Sequence, residues 1–316
     1  MKYKIKTFLK LPLLLVLGSL VFLQCNNKDN TTPTLDSLDA TLSKSTDLTI
    51  FKAAVAQAKL NIYTQGPGPF TILAPTDAAF TAAGITAASL PSIDSITLTA
   101  LVLNHFQNIA RTSYEFPDGP TAPMASIAGY SNYSYKDKAA NKIYVSGATI
   151  TERDIKCGNG IIHKINKVLI PPTLSILTIL GANPNYSLMV QAITKAALTG
   201  NTAYGATTAA PVTVFALSNT IMTANGYDAT TIAGLTGVPL TTLTNILKYH
   251  IATGRIYSSD FKLGNLKTVF GTNVVISISG GVNVKGASNA SPFLLGPTDI
   301  SANNGVVHAI SGMLTP

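Results

Sequence analysis

Tryptophan is absent, arginine occurs only at Arg111, Arg153 and Arg255, and cysteine only at Cys25 and Cys157 in a chain of 316 residues. Each shortage removes a class of protein. Two cysteines cannot build a disulfide scaffold. Charged residues make up 11% of the chain, against a usual share of about 25%, and no run of Lys and Arg follows the N-terminal segment. Nucleic-acid binding needs many phosphates neutralised along one face, so it is excluded. Disorder requires few apolar residues and a high net charge; with 46% hydrophobic residues the chain has neither. Catalytic signatures are missing too: there is no HExxH, GxSxG, GxxxxGKS/T, Rossmann glycine pattern or CxxC.

What is present begins with a leader. Lys2, Lys4, Lys6 and Lys10 precede an uncharged run over residues 11–23. A basic start followed by an apolar run of about 7–15 residues is the pattern of a secretory signal peptide, assigned here to residues 1–24. Removing them takes away four lysines and no acid, so the formal charge of +8 falls to +4. Cys25 follows at once, ahead of a polar segment, Asn-Asn-Lys-Asp-Asn-Thr-Thr-Pro, at residues 26–33. This junction resembles the lipobox of bacterial lipoproteins, with Gln24 where a small residue is usual. The resemblance implies that Cys25 is acylated, that residues 25–34 form a lipidated tether, and that the chain sits at the outer membrane or cell surface, facing periplasm or exterior. The competing reading is ordinary cleavage nearby, with Cys25 incidental. If Cys25 is acylated, Cys157 has no partner and reads as a small packed residue.

The remainder repeats itself. Residues 48–60 align with 186–198 at an offset of 138, and in both the apolar residues fall at i, i+3, i+4 and i+7: Phe51, Ala54, Val55 and Ala58, then Met189, Ala192, Ile193 and Ala196. That spacing is one face of an amphipathic helix. Residues 70–80 align with 212–222 at offset 142; Thr71-Ile72-Leu73 and Thr213-Val214-Phe215 read as short buried strands, and Thr76 and Ser218 as helix N-caps. Leu98, Leu101, Val102 and His105 share a helical face, repeated by Leu243, Ile246, Leu247 and His250 at offset 145. Asn-Gly-Ile-Ile-His at 159–163 returns as Asn-Gly-Val-Val-His at 304–308, also at offset 145. Alternating residues at 273–279 and 282–285 flank Gly280-Gly281 as a two-residue hairpin turn, and Tyr133, Tyr135, Ile143 and Val145 form a rougher equivalent in the first copy.

These segments resemble fasciclin-like domains. Thr-Ile-Leu-Ala-Pro-Thr-Asp-Ala-Ala-Phe at 71–80 is similar to the first box of that family, Asn104-His105 and Tyr249-His250 to its central Tyr-His motif, and the two Asn-Gly-x-x-His segments to its second box. Asn104 stands where the family favours Tyr, and Leu217 where it favours Pro. The resemblance implies an α+β fold of two tandem domains, residues 35–172 and 173–316, each a wedge of two small twisted β-sheets flanked by short helices. It also makes Asn104, His105, Tyr249 and His250 a candidate adhesion motif.

All four histidines occupy repeated positions. Two per copy, without a cysteine pair, fall short of the three or four ligands a zinc site needs, so neither metal nor cofactor is expected. His105 and His250 lie on apolar helical faces; His163 alternates with Ile161 and Ile165, and His308 with Val306 and Ile310. All four are therefore expected to be structural residues of the core, each ring nitrogen hydrogen-bonded. Asp154 and Asp299 read as turn or capping residues. Asp77 cannot be a shared catalytic acid, because its counterpart is Asn219. The resulting expectation is a non-catalytic, lipid-anchored envelope adhesion protein, held to the membrane by its anchor and binding a protein or polysaccharide partner. The alternative is a glycan- or small-ligand-binding lipoprotein serving an uptake system; with no Trp, its sugar platform would come from Tyr114, Tyr130, Tyr133, Tyr135 and Tyr144.

Overall fold

Short polar side chains set where the helices begin. Ser37, Thr76 and Asp94 in the first copy, and Ser175, Ser218 and Asp228 in the second, each accept a bond from the backbone N–H three residues on. Each satisfies one of the orphan donors at a helix start, and the expected caps Thr76 and Ser218 are among them. The periodic segments form helices Thr49–Gln57 and Ser187–Lys195, which bury Phe51, Ala54 and Val55, and Met189, Ala192 and Ile193. The structure, a computed structural model, describes residues 34–200, Tyr204 and residues 210–316. The leader, Cys25 and the tether up to residue 33 lie outside the described residues. Residues 35–316 form one compact unit, and among the described residues no helix is long and apolar enough to cross a membrane.

The strands of the first copy are β1 (Phe70–Pro75), β2 (Phe106–Gln107), β3 (Gly119–Ala125), β4 (Ser131–Asp137), β5 (Lys142–Val145), β6 (Ala148–Cys157) and β7 (Gly160–Ile165). Those of the second are β8 (Val212–Ala216), β9 (Ile251–Thr253), β10 (Gly264–Lys267), β11 (Asn273–Ile278), β12 (Val282–Lys285), β13 (Phe293–Leu294), β14 (Ile300–Ala302) and β15 (Gly305–Ala309). The two repeated boxes become neighbours: β1 pairs in parallel with β7, and β8 with β15, in matching register. The motif histidines join them through the backbone, because Leu73 N–H donates to the His105 carbonyl and Phe215 N–H to that of His250, both at 2.9 Å. Three motifs scattered over more than fifty residues thus form one structural element in each copy.

The copies differ in how their sheets connect. Among the described residues, the second has two four-stranded sheets, β14-β15-β8-β9 and β10-β11-β12-β13, whereas the first has one seven-stranded sheet, β2-β1-β7-β6-β5-β4-β3. The ten-residue β6 belongs to both halves of the first copy and has register shifts around Glu152 where it bends. At the same offset of 145, the second copy replaces β6 by β13 and β14, with Pro297 where Glu152 stands. Proline has no N–H to give a ladder, and the long strand is broken there. The hairpin at Gly280 and Gly281 is also longer than a two-residue turn: Ile278 pairs with Val282, leaving Ser279, Gly280 and Gly281 as the loop. Both glycines have positive φ, 64° and 138°, a region that side chains disfavour.

The copies meet through contacts that are not repeated. Lys167 Nζ donates to the Thr298 carbonyl at 3.0 Å and lies 3.5 Å from Asp299 Oδ2. Arg255 lies over the Tyr133 ring at 4.8 Å, and the Tyr133 and Tyr257 rings are 6.3 Å apart. At the offset of 145, Lys167 corresponds to Gly312, Arg255 to Ala110 and Tyr257 to Thr112. Gly147 leaves no space beside Asp299, since a Cβ there would lie 2.4 Å from the carboxyl carbon.

Candidate functional site

The motif histidines are buried at helix ends. The sequence pattern put His105 and His250 on a helical face; His250 instead caps helix Gly237–Tyr249, and His105 lies one residue beyond the cap of helix Ser95–Leu103. Nδ1 of each bonds the carbonyl four residues back, Leu101 or Ile246, at 2.8 Å, and Nε2 receives a backbone N–H, from Leu169 or Leu314, at 2.9 Å. A carbonyl only accepts and an N–H only donates, so Nδ1 carries the proton and Nε2 is bare. Burial holds both rings neutral, pushing their pKa from 6.5 to about 4. Neither ring has a lone pair left for a metal or a surface for a partner. Asn104 and Tyr249 are interior as well. Asn104 Nδ2 donates to the Leu169 carbonyl at 2.8 Å. The Tyr249 hydroxyl donates to the Asn273 carbonyl at 2.7 Å and accepts from Ala287 N–H at 3.0 Å.

The other two histidines are wired in the opposite sense. His163 and His308 donate through Nε2 to the carbonyls of Arg111 and Ile256 at 2.8 Å, and accept at Nδ1 from the backbone N–H of Asp154 and Asp299 at 3.1 and 3.2 Å. Asp154 and Asp299 both take left-handed backbone conformations, with φ of 61° and 63°. Their carboxylates accept from the backbone N–H and the hydroxyl of Ser113 and Ser258. Burial pushes Asp299 up, but the charge of Lys167 and the Ser258 bonds together hold it below the usual carboxylate range. Each copy therefore assembles Ser, His and Asp, the residue types of a hydrolase triad, without its wiring. A triad needs the hydroxyl on His Nε2 and the carboxylate on His Nδ1–H. Here the hydroxyl bonds the carboxylate, Nε2 bonds a backbone carbonyl, and the serine has no base.

Two further residue pairs tie distant segments together. Asp77 accepts from Ile50 N–H at 2.8 Å and from the Thr49 hydroxyl at 2.6 Å, capping helix Thr49–Gln57 from outside it. Asn219 does the same for helix Ser187–Lys195, with Oδ1 accepting from Leu188 N–H at 2.9 Å. An acceptor oxygen is what the position requires, and that explains how the carboxylate can be exchanged for an amide. Asn159 Oδ1 accepts from Leu38 N–H, and Asn304 Oδ1 from Ile176 N–H, both at 2.8 Å. These second-box asparagines anchor the first helix of each copy, a role that sequence reasoning missed because the partners are 121 and 128 residues away.

The paired boxes, the histidine at a helix end and the Asn-Gly-x-x-His strand occur twice in one arrangement, and the fasciclin domain family matches the chain twice, over residues 46–171 and 184–316. The chain belongs to the fasciclin domain family. It is 27% identical to transforming growth factor-beta-induced protein ig-h3 of Sus scrofa over 285 residues, which are 90% of this chain and 38% of that protein. Protein sll1483 of Synechocystis is 33% identical over 122 residues, 38% of this chain and 65% of that one. The chain thus spans less than two thirds of either relative. Among solved structures it is similar to a FAS1 domain pair from the insect cell adhesion molecule fasciclin I, with 17% identity, a TM-score of 0.41, and coverage of 84% of this chain and 96% of that one.

The remaining candidates lie on the first fasciclin copy. Cys157 is buried, within 3.2 Å of the Thr41 hydroxyl, and burial pushes its thiol up, away from the reactive thiolate. Of the tyrosines, Tyr135 and Tyr144 are cross-strand partners stacked at 5.9 Å, and exposed Tyr114 lies 5.6 Å from the Lys136 ammonium. Tyr133 faces the second copy, with Arg255 on its ring. Tyr130 is half-buried and borders a shallow groove beside helix Ser95–Leu103. The five rings are divided among separate contacts.

Proposed function

We propose that this fasciclin chain is a lipid-anchored protein of the bacterial envelope that binds a protein or matrix partner through its tandem domains, without catalysis. Fasciclin domains occur in cell adhesion proteins, which supports an adhesion-like or binding role. The observation that carries the reading is the wiring of the histidines: all eight ring nitrogens bond backbone groups. Recognition is therefore left to loops and outer sheet faces. The anchor follows from Cys25 behind the apolar leader. Each buried CH₂ of an acyl chain contributes about 0.8 kcal/mol, and a single chain holds only marginally, so stable attachment takes more than one.

Replacing the acylated residue tests the anchor. In cells expressing Cys25→Ser, the protein is expected to move from the membrane pellet to the soluble fraction while wild type stays in the pellet. Unchanged partitioning of the variant into detergent would exclude lipidation at this cysteine.

A further inference from the structure

We infer that the cleft between the two fasciclin copies is a binding site for a small neutral saccharide. The site is independent of the anchor and of any adhesive partner. Its floor is the join between the copies, residues 166–170 and Pro172; the first copy supplies Ser131 and Asn132 to one wall, and the second supplies Ser258 and Ser301 to the other. Its volume is about 570 Å³, within the range of about 300–1,000 Å³ usual for small-molecule sites.

Charge decides the class of ligand. Among the described residues, Lys167 and Asp299 are the only charged ones lining the cleft, and each is already matched. The Lys167 ammonium bonds the Thr298 carbonyl and faces Asp299, whose carboxylate receives the Ser258 backbone N–H and hydroxyl. An anion or cation in the cleft would compete with this pair for its partner, and burying a charge without a partner is costly. The other polar lining groups are uncharged hydroxyls and amides, among them Ser131, Asn132, Asn166 and Ser301. Asn132 gives one Nδ2 hydrogen to the Asn104 carbonyl, Asn166 Oδ1 accepts from Thr149 N–H, and the Ser301 hydroxyl meets that of Tyr257. The donors and acceptors these groups have left match the hydroxyls of a sugar, which both donate and accept. Ala82 and Ala83, with Val168, Ile170 and Pro172 on the floor, add aliphatic surface suited to the C–H face of a pyranose. With no aromatic ring in the lining among the described residues, affinity should be low, with a Kd on the order of 1 mM.

The cleft is not a by-product of duplication. Lys167, on its floor, has Gly312 as its repeat counterpart, and the Arg255–Tyr133 contact between the copies has none. Gly147 is held against Asp299 with no space for a side chain, so the walls meet at a fixed distance and the site is formed before a ligand arrives.

The test uses residues 35–316, the compact unit that holds both copies and lacks the leader and Cys25. Saturation-transfer NMR and calorimetric titration would compare glucose, galactose and N-acetylglucosamine with charged glucosamine and glucuronate. At least one neutral sugar is expected to bind, with its charged counterparts weaker by about tenfold or more. Ala82→Trp, at the exposed end of helix Asp77–Ala82, should fill the cleft and abolish binding with an unchanged melting temperature. If the tryptophan lowers that temperature, Ile170→Trp on the exposed join should give the same loss. The proposal is overturned if no neutral sugar binds, if charged sugars bind equally well, or if binding survives the variant that melts like wild type.

Discussion

Acidification from about pH 7 to about pH 4 should destabilise this protein steeply, chiefly through His105 and His250. Both rings are buried and neutral, with the pKa lowered from 6.5 to about 4. Between those values the unfolded chain binds protons that the native state refuses, so the free energy of unfolding falls as the pH falls. The stability is fully present above 6.5, is lost through the window down to about 4, and for these two groups levels off below it. A shift of that size corresponds to about 3 kcal/mol for each histidine. His163 and His308 are lowered too, by burial, and steepen the loss. Asp154 and Asp299 are held below the ordinary carboxylate value of 3.8, so their share is lost only at still lower pH. Urea midpoints measured at several pH values should fall continuously across the window, whereas a constant midpoint would mean that the rings are not buried neutral.

Gly305→Ala should have an equally large effect by a steric route. A Cβ at Gly305 would stand 2.0 Å from the Val212 carbonyl oxygen, and one at Gly160 would stand 2.2 Å from that of Phe70. Both obstacles are backbone atoms fixed in the parallel box-to-box pairing, so neither can rotate away. Relief requires β15 to separate from β8, and the loss should exceed about 3 kcal/mol. Gly181→Ala is the control: it lies inside helix Ile176–Ala182 with nothing within 4 Å. Alanine there should be neutral or stabilise by up to about 1 kcal/mol. Thermal melts of the two variants distinguish these outcomes; a Gly305→Ala protein that melts like wild type would show that the strands do not pack this closely.

The parts of this structure visible in the sequence are those carried by local pattern. Helix faces such as Phe51, Ala54 and Val55, and the caps Thr76 and Ser218, depend on neighbours within one turn, and the duplication displayed each signal twice. The long strand β6 was hidden because its middle, Thr151-Glu152-Arg153-Asp154, is largely exposed and reads as a polar loop. Strand β3 was hidden by Pro120 and Pro123, which it tolerates because it lies at the sheet edge. Of the site, burial of the histidines was legible from apolar neighbours, but the direction of each ring was not. That direction depends on Leu169 and Leu314, each 64 residues from its histidine. The cleft was the least legible feature, because Lys167 and Arg255 have unlike residues, Gly312 and Ala110, at the repeat offset, and repetition was the strongest signal available.

The central claim is that this fasciclin pair works by binding and not by catalysis. Beads carrying residues 35–316, attached at their N-terminal end, would be presented to envelope and extracellular material from cells that make the protein, and the attached beads counted. Attachment should stand well above that of beads coated with an unrelated protein, and should be unchanged when Ser113→Ala and Ser258→Ala are combined in a chain that still melts cooperatively. Attachment at background level, or its loss together with a hydrolytic activity in the double variant, would contradict the claim.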